Sequence, residues 1–306
     1  MQWENCYNTQ KPPSLFMPHD NHPAPMSWGL TVRIATYGEH MGWWKPGDLI
    51  GDPMAGSGTG LTAYRIRGYD VCGIELESTY YARLLLNTAW QNKNLGLSQM
   101  LLPGMVNPGS WDYHHGDAGV VLRELEADSW DACMFSPPYE SAVTSNSDGP
   151  MMPFKQLRAK FKTEKEWRKF ATDRRAMKKA GYGGLVADDA QVGNLKGYNH
   201  WKAMLDIYCG IAHVVRPGGF LVTVTKDRRQ KWQMFPIFQY TIALAVMAGF
   251  DIVRLHDGKW PNRIRAMGAM RSQVSRMVNA KYIKAGRPDL YLDHEDVLVF
   301  AKPTGH

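Results

Sequence analysis

The sequence lacks any apolar run long enough to cross a membrane or to act as a secretion signal. A membrane-spanning helix needs about 18 or more consecutive apolar residues, and no such run occurs among the 306 residues. The first 20 residues also lack the apolar stretch of a signal peptide. These absences predict a cytoplasmic protein without a membrane partner.

Cysteine is scarce and scattered. The four cysteines stand far apart, and no two have the short spacing that is typical of metal ligands: Cys6, Cys72, Cys133 and Cys209. We therefore expect reduced, mostly buried thiols and no metal site.

Acidic residues are sparse in one segment. Between Lys155 and Lys179 there are 11 Lys and Arg but only 3 Asp and Glu, whereas the whole chain has a net charge of +7. Such a concentration of positive charge favours a polyanionic partner. A solvated, charged helix explains the same pattern equally well.

Turn signals and apolar runs alternate along most of the chain. Strands are predicted at 48–52, 70–75, 111–115, 131–135, 220–225, 250–255 and 296–301, and helices at 27–37, 61–67, 78–92, 200–215 and 236–248. This alternation indicates a mostly parallel sheet covered on both faces, and such sheets bind ligands beyond the carboxyl ends of their strands. Two basic regions, 140–199 and 259–293, break the pattern. We interpret them as insertions or loops on a single domain that spans 1–306.

A glycine-containing segment follows the first predicted strand. Its glycines would let the backbone approach a ligand closely, and the next helix would offer free N–H groups. A phosphate-binding loop is one alternative, but the Lys of such loops is missing, and Asp52 would repel phosphate. An ordinary tight turn is another. A carboxylate beside this turn suits a ligand with an ammonium group. The segment consists of Asp52, Pro53, Met54, Ala55, Gly56, Ser57, Gly58 and Thr59.

Two further carboxylates end the next two predicted strands. Glu75 could accept hydrogen bonds from ribose hydroxyls, as the acidic residue does in dinucleotide folds. Asp117 could accept one from an adenine amino group. Alone, each is more often a surface carboxylate. Together with Asp52, however, they end successive strands on one edge of the sheet.

The fourth strand is followed on that same edge by Ser136, Pro137, Pro138 and Tyr139. The prolines restrict this loop and the residues before them, while their carbonyl oxygens still accept hydrogen bonds. Acceptors beside an aromatic ring suit a planar base that carries an amino group. A proline-rich turn with a packing Tyr is the alternative.

In this combination and order, the motifs resemble those of the DNA amino-methyltransferases, which modify cytosine N4 or adenine N6. The resemblance implies a Rossmann-like methyltransferase fold with inserted basic regions, and S-adenosylmethionine as the cofactor. It makes the glycine segment, Glu75 and Asp117 the cofactor site, and Ser136 to Tyr139 the catalytic tetrapeptide. His22 and Pro23 resemble the segment that covers the methionine end of the cofactor.

The chain departs from the family at two points. Met54 stands where Phe is usual, and the cofactor motif precedes the catalytic one. This permuted order is similar to that of some phage or mobile-element enzymes.

The resemblance also implies how the site would act. DNA would be the partner, with 140–199 as a contact region, and the target base would be flipped into the pocket. Tyr139 would stack on the base, while Ser136 and the Pro137 carbonyl would accept hydrogen bonds from its amino group. The sulfonium supplies the leaving group, so no metal is needed. In this family, Ser at the first tetrapeptide position goes more often with cytosine.

Two other functions remain as alternatives at this stage. One is an RNA methyltransferase acting on guanine N2, and the other is a non-catalytic subunit that binds DNA. The sequence leaves the DNA recognition sequence open, and also whether the chain forms an oligomer.

Overall fold

The computed structural model describes residues 1–8, 11–17, 26–99, 107–138, 192, 195, 197–230, 232–268 and 273–305. Three predicted features lie outside these residues: His22 with Pro23, Tyr139, and the basic segment from Lys155 to Lys179. Of the predicted insertion at 140–199, only 192, 195 and 197–199 are described.

Five parallel strands form the centre of the molecule. They run in the spatial order β4, β3, β2, β5, β6. Their bounds are Leu49–Asp52 (β2), Asp70–Glu75 (β3), Trp111–His115 (β4), Trp130–Phe135 (β5) and Val215–Thr225 (β6). The sequence predicted all five, and β3 and β4 with the same ends.

Beyond β6 the sheet continues with both antiparallel and parallel pairs of strands. In the described ranges the sheet has nine strands, and the short strands β7 (Arg228–Gln230) and β8 (Gln233–Phe235) form a separate antiparallel hairpin. Strand β11 (His294–Ala301) runs antiparallel to β6, and β10 (Arg263–Met267) runs antiparallel to β11. At the edge, β1 (Gln2–Trp3) pairs with β10, while β9 (Asp251–Ile252) pairs with β11.

The interpretation of 259–293 as an irregular basic region is wrong, because β10 is an internal strand of the sheet. Ile264 and Ala266 are fully buried. The charge of Arg263 suggested a solvated loop, but its Nε lies 2.6 Å from Asp296 Oδ1, and both side chains are buried. The region also contains a helix, Gln273–Lys284.

Helices cover both faces of the sheet, each over its own buried core. Along β5, Ala132 and Met134 belong to one core, and Cys133 and Phe135 to the other. The first face carries α1 (Trp28–His40), α2 (Thr59–Arg65) and α3 (Ser78–Gln99), and the second carries α4 (Ala118–Glu124), α5 (Tyr198–Val214) and α6 (Ile237–Met247). The helix Gln273–Lys284 is α7. The predicted α/β, Rossmann-like fold is confirmed, although two helices and four strands were not predicted: α4, α7, β1, β7, β8 and β10.

Strand β2 is short and has little β-branched content, yet it lies in the middle of the sheet. A Cβ on Gly51 would come within 2.0 Å of the Trp130 ring. Glycine is therefore required here, because the indole of the neighbouring strand packs directly on the backbone of β2.

The chain changes direction across the sheet between β2 and β5. After β2 it moves outward through β3 and β4, and then returns to form β5 on the other side of β2. Sheets of this kind bind ligands in the crevice at such a switch point. Asp52 ends β2 and Ser136 follows β5, so the two predicted motifs flank the crevice. No helix in the described ranges is long and apolar enough to span a membrane.

Candidate active site

Backbone hydrogen bonds hold the glycine loop after β2 against the end of β3. The N–H of Ala55 donates to the Ile74 carbonyl at 2.9 Å, and that of Gly56 donates to Glu75 Oε2 at 2.8 Å. Gly58 has a φ of +82°, and a Cβ there would lie 2.4 Å from Leu84 Cδ1. The loop is therefore fixed in a conformation that disfavours side chains at this position.

A buried asparagine of α3, which the sequence analysis did not identify, supports this loop. Asn87 Nδ2 donates to the Ser57 carbonyl at 2.9 Å, and its Oδ1 accepts from the Met17 N–H at 3.1 Å. Asn87 and Gln91 lie one turn apart and are both buried. The sequence signal that could have identified this support is the pair of amide side chains four residues apart, on the buried side of α3.

The residues that flank 18–25 lie beside the glycine loop. Met17 contacts Asn87, as described above, and the Met26 methyl lies 4.0 Å from the position that a Cβ would take on Gly60. That same position is 3.3 Å from Asp52 Oδ2. The roles of His22 and Pro23 stay predictions.

Asp52 is a buried carboxylate at the switch point. Only 3% of it is exposed, and its Oδ1 accepts from the Met54 N–H at 2.9 Å. Burial raises the pKa of Asp52 to about 7, and the nearby Glu75 adds to this shift while the Met54 N–H opposes it. Among the described residues, no Lys, Arg or His forms an ion pair with it. The ionised form thus lacks a compensating cation from this part of the chain.

Glu75 is held by backbone donors. Its Oε2 accepts from Gly56, and its Oε1 accepts from the Glu77 N–H at 2.8 Å. Burial raises the pKa of Glu75, although these N–H groups oppose the shift. Each carboxylate oxygen can accept two hydrogen bonds, so acceptor capacity remains for a ligand.

Asp117 has a structural role that the sequence analysis did not consider. It is the N-cap of α4, and its Oδ1 accepts from the Gly119 N–H at 2.7 Å. A cap of this kind typically stabilises a helix by about 1 kcal/mol. The second oxygen makes no hydrogen bond to a described residue, so a ligand contact is compatible with capping.

The other predicted residues of the glycine segment differ in their surroundings. Pro53 is buried, and Ala55 belongs to the core under α1 to α3. The partly buried Met54 packs against the core on the opposite face. Thr59 Oγ1 is buried and has no hydrogen-bond partner among the described atoms, which leaves a polar group for a ligand to satisfy.

Ser136 is oriented by the neighbouring strand. Its hydroxyl donates to the Val224 carbonyl near the end of β6, at 3.0 Å. The proton is thereby engaged, and the oxygen lone pairs remain to accept hydrogen bonds. Pro137 and Pro138 line a mainly apolar pocket against α5 and α6, with Met204, Tyr208, Ile237 and Thr241 among its other residues.

One group of possible metal ligands lies on β3 and β4. The ligand atoms of Cys72, Asp112 and His114 are all within 4.8 Å of one another. Burial, followed by the charge of Asp112, raises the pKa of Cys72 to about 12. Without a bound metal, the thiol is therefore protonated at neutral pH.

The pKa of Asp52 predicts how the affinity for a cationic ligand depends on pH. We expect affinity for S-adenosylmethionine to rise by up to about tenfold per pH unit below pH 7 and to level off above it, because binding requires the ionised carboxylate. Folding responds in the opposite direction. The pKa of Asp52 is raised in the folded state, so its contribution to the free energy of unfolding decreases as the pH rises from about 4 to 7.

Calorimetric titrations from about pH 5.5 to 8.5, with denaturant unfolding at the same pH values, measure both trends. In the Asp52→Asn variant, both the pH dependence of cofactor affinity and this contribution to the pH dependence of stability should disappear. An affinity for the cofactor that does not change across this range in the unmodified protein would contradict the assignment.

Comparisons with known proteins identify similar folds but no family. No model of a protein family matches the sequence, and no curated protein matches it. The solved structures with similarity include a protein from Galdieria sulphuraria provisionally named as a sarcosine dimethylglycine methyltransferase, with 13% identity, a TM-score of 0.45, and coverage of 90% of this chain and 87% of that one. An S-adenosylmethionine-dependent methyltransferase from Methanosarcina mazei has 13% identity, a TM-score of 0.43, and coverage of 88% and 99%.

A protein from Thermus thermophilus, provisionally named as a DNA modification methylase, has 16% identity and a TM-score of 0.33, and the match covers 62% of this chain and 53% of that one. At these levels of similarity, the substrate has to be inferred from the residues of the chain itself.

Proposed function

We propose that the chain transfers a methyl group from S-adenosylmethionine to the exocyclic amino group of a DNA base. The observation that carries the proposal is the pair of loops at the switch point. An acid-lined glycine loop follows β2, and a loop of a serine and two prolines follows the adjacent β5. A cofactor held by the first loop would lie next to a substrate held by the second.

The donors and acceptors of the first loop fit S-adenosylmethionine. Asp52 and Glu75 are buried, both have raised pKa values, and Glu75 adds to the shift of Asp52. A positively charged ligand would offset the free-energy cost of ionising these two buried carboxylates, and S-adenosylmethionine carries positive charge on its sulfonium and ammonium groups. Glu75 offers its remaining acceptor capacity to the ribose, and Thr59 offers its unsatisfied hydroxyl.

The residues of the second loop suit an amino group as the methyl acceptor. When bound, the cofactor supplies an electrophilic methyl carbon on a sulfonium. Ser136 accepts a hydrogen bond from the amino group, because its own proton is donated to Val224. We propose that the Pro137 carbonyl accepts the second N–H and that Tyr139 stacks on the base. Together they aim the nitrogen lone pair, and this positioning is the main catalytic contribution.

The preference for cytosine N4 over adenine N6 rests on the resemblance alone. A serine hydroxyl could also donate to a pyrimidine ring nitrogen or carbonyl, but this donation competes with the bond to Val224. Cytosine remains our proposal because of the Ser at position 136. The basic segment from Lys155 to Lys179 is our candidate for contacts with DNA phosphates.

The product identifies the substrate. We expect the purified protein to transfer label from deuterated S-adenosylmethionine to duplex DNA, and nucleosides from the digested DNA to contain N4-methylcytosine by mass spectrometry. Labelled N6-methyladenine alone would overturn the cytosine proposal but leave amino transfer intact. Label in RNA, in 5-methylcytosine or in neither nucleic acid would overturn the proposed function.

A further inference from the structure

The β7–β8 hairpin lies beside the candidate catalytic loop. The hairpin follows β6 after two residues, and Val224 of β6 accepts the hydrogen bond of Ser136. On its other side, one residue, Pro236, separates β8 from α6, and Ile237 of α6 lines the same pocket as Pro137 and Pro138. One end of the hairpin therefore follows the strand that binds Ser136, and the other precedes a helix that lines the pocket of Pro137 and Pro138.

The tip of this hairpin carries an exposed tryptophan in an unfavourable backbone conformation. Trp232 has a φ of +64° and is 45% exposed. It belongs to the two-residue connection between Gln230 and Gln233, where Asn and Gly are the usual residues because they tolerate positive φ. Bulky residues held in such conformations are concentrated at functional sites.

Side chains from α7 support the tryptophan. The Trp232 and Tyr282 rings meet edge to face, with centroids 5.1 Å apart, and Lys281 Nζ lies 5.6 Å from the Trp232 ring. Arg229 of β7 donates to Asn279 Oδ1 of α7 and to the Leu290 carbonyl, the latter at 3.2 Å. The hairpin and α7 therefore form one platform under an exposed indole.

The platform carries two exposed lysines, Lys281 and Lys284. They stand three residues apart, so they lie on the same side of α7. An exposed aromatic ring next to lysines is the combination with which proteins bind single nucleic-acid strands, by stacking on bases and contacting phosphates.

We propose that the β7–β8 hairpin and α7 bind the DNA strand next to the target base, with Trp232 stacking on a base and Lys281 and Lys284 contacting phosphates. This inference rests on the proposed function, since it assigns a second binding surface for the same substrate. Trp232 acts here as a positioning residue, because it holds the strand from which the target base is taken.

The test measures binding of the full chain to fluorescein-labelled DNA, as a duplex and as a single strand, by anisotropy. We expect Trp232→Ala to weaken binding about tenfold, since stacking on an aromatic side chain is commonly worth this much, and Trp232→Phe to retain most of the affinity. Trp111→Ala is the matched control, because Trp111 is 42% exposed and its ring centroid lies 5.1 Å from that of Tyr113. It should leave DNA binding unchanged.

The lysines are tested by salt dependence. Replacing Lys281 and Lys284 together by Gln should reduce the slope of log K against log salt by about 1.8 on duplex DNA, which corresponds to two lost phosphate contacts. The same replacement at Lys93 and Lys202, which are exposed on α3 and α5, should not change the slope.

The outcomes separate this inference from the proposed function. If the unmodified protein methylates DNA while the Trp232 and lysine variants bind it normally, the surface is assigned wrongly. An affinity for RNA at least about tenfold above that for DNA, lost in the same variants, would also overturn the DNA assignment. Failure of the unmodified protein to methylate DNA counts against the proposed function and not against the surface, provided that the variants still lose DNA binding.

Discussion

The Asp52→Asn variant is expected to bind S-adenosylmethionine about 100-fold more weakly than the unmodified protein, with no loss of folding stability. Asn keeps the shape of the side chain and can still accept from the Met54 N–H. It presents an amide that has no charge to offer the ammonium group, and losing a hydrogen bond between charged groups costs up to about 3 kcal/mol. Stability is preserved because the variant no longer buries a carboxylate without a paired cation.

Calorimetry at about pH 8, where the carboxylate is ionised, measures the affinity, and urea unfolding at the same pH measures the stability. Asp251→Asn is the control, because Asp251 is an exposed carboxylate on β9. Equal affinity in the Asp52 variant and the unmodified protein would mean that the glycine loop does not hold the cofactor. A lower affinity together with a lower stability would point instead to damage of the loop.

The Ser136→Ala variant is expected to lose about 100-fold in kcat while its affinity for S-adenosylmethionine stays unchanged. In the proposed mechanism this hydroxyl oxygen accepts a hydrogen bond from the attacking amino group, and removal of one such group commonly costs this much. The proposed cofactor residues lie at the ends of other strands, so binding of the cofactor should not change. Single-turnover methyl transfer measures the chemical step, and calorimetry measures the binding.

Ser129→Ala is the matched control for this variant. Ser129 precedes β5, whereas Ser136 follows it, and each hydroxyl donates to a backbone carbonyl. Removal of the Ser129 hydroxyl should leave the rate intact. A similar loss of rate in both variants would show that Ser136 only stabilises the end of the strand.

The positions of the candidate cofactor residues could be predicted because they follow from local signals and one general rule. Asp52 and Glu75 end predicted strands, and the carboxyl ends of neighbouring parallel strands share one edge of a sheet. The hydrogen bonds that site residues make to distant parts of the chain could not be predicted in this way. The hydrogen bond from Ser136 to Val224 spans 88 residues, and its effect on the serine proton is invisible in the tetrapeptide.

Strand β10 was missed for a different reason. Its alternation of Arg263, Ile264, Arg265 and Ala266 is compatible with a strand, but two arginines in a basic stretch favour a solvated loop. The sequence does not show that Asp296 binds Arg263 inside the sheet, at 2.6 and 2.9 Å. The charge of Arg263 can be buried because Asp296, which lies 33 residues further along the chain, forms an ion pair with it.

The position of β11 has a consequence for how the protein matures during synthesis. Among the described strands, β10 joins the rest of the sheet only through β11, and β1 joins only through β10. The hydrogen bond from Tyr7 Oη to Glu295, at 2.8 Å, links residues 288 positions apart. The pairing of β1 therefore has to wait until β10 and β11 have been translated, and the edge of the sheet that they complete stays open in that interval. Chaperone demand and aggregation of the nascent chain should be concentrated in this interval.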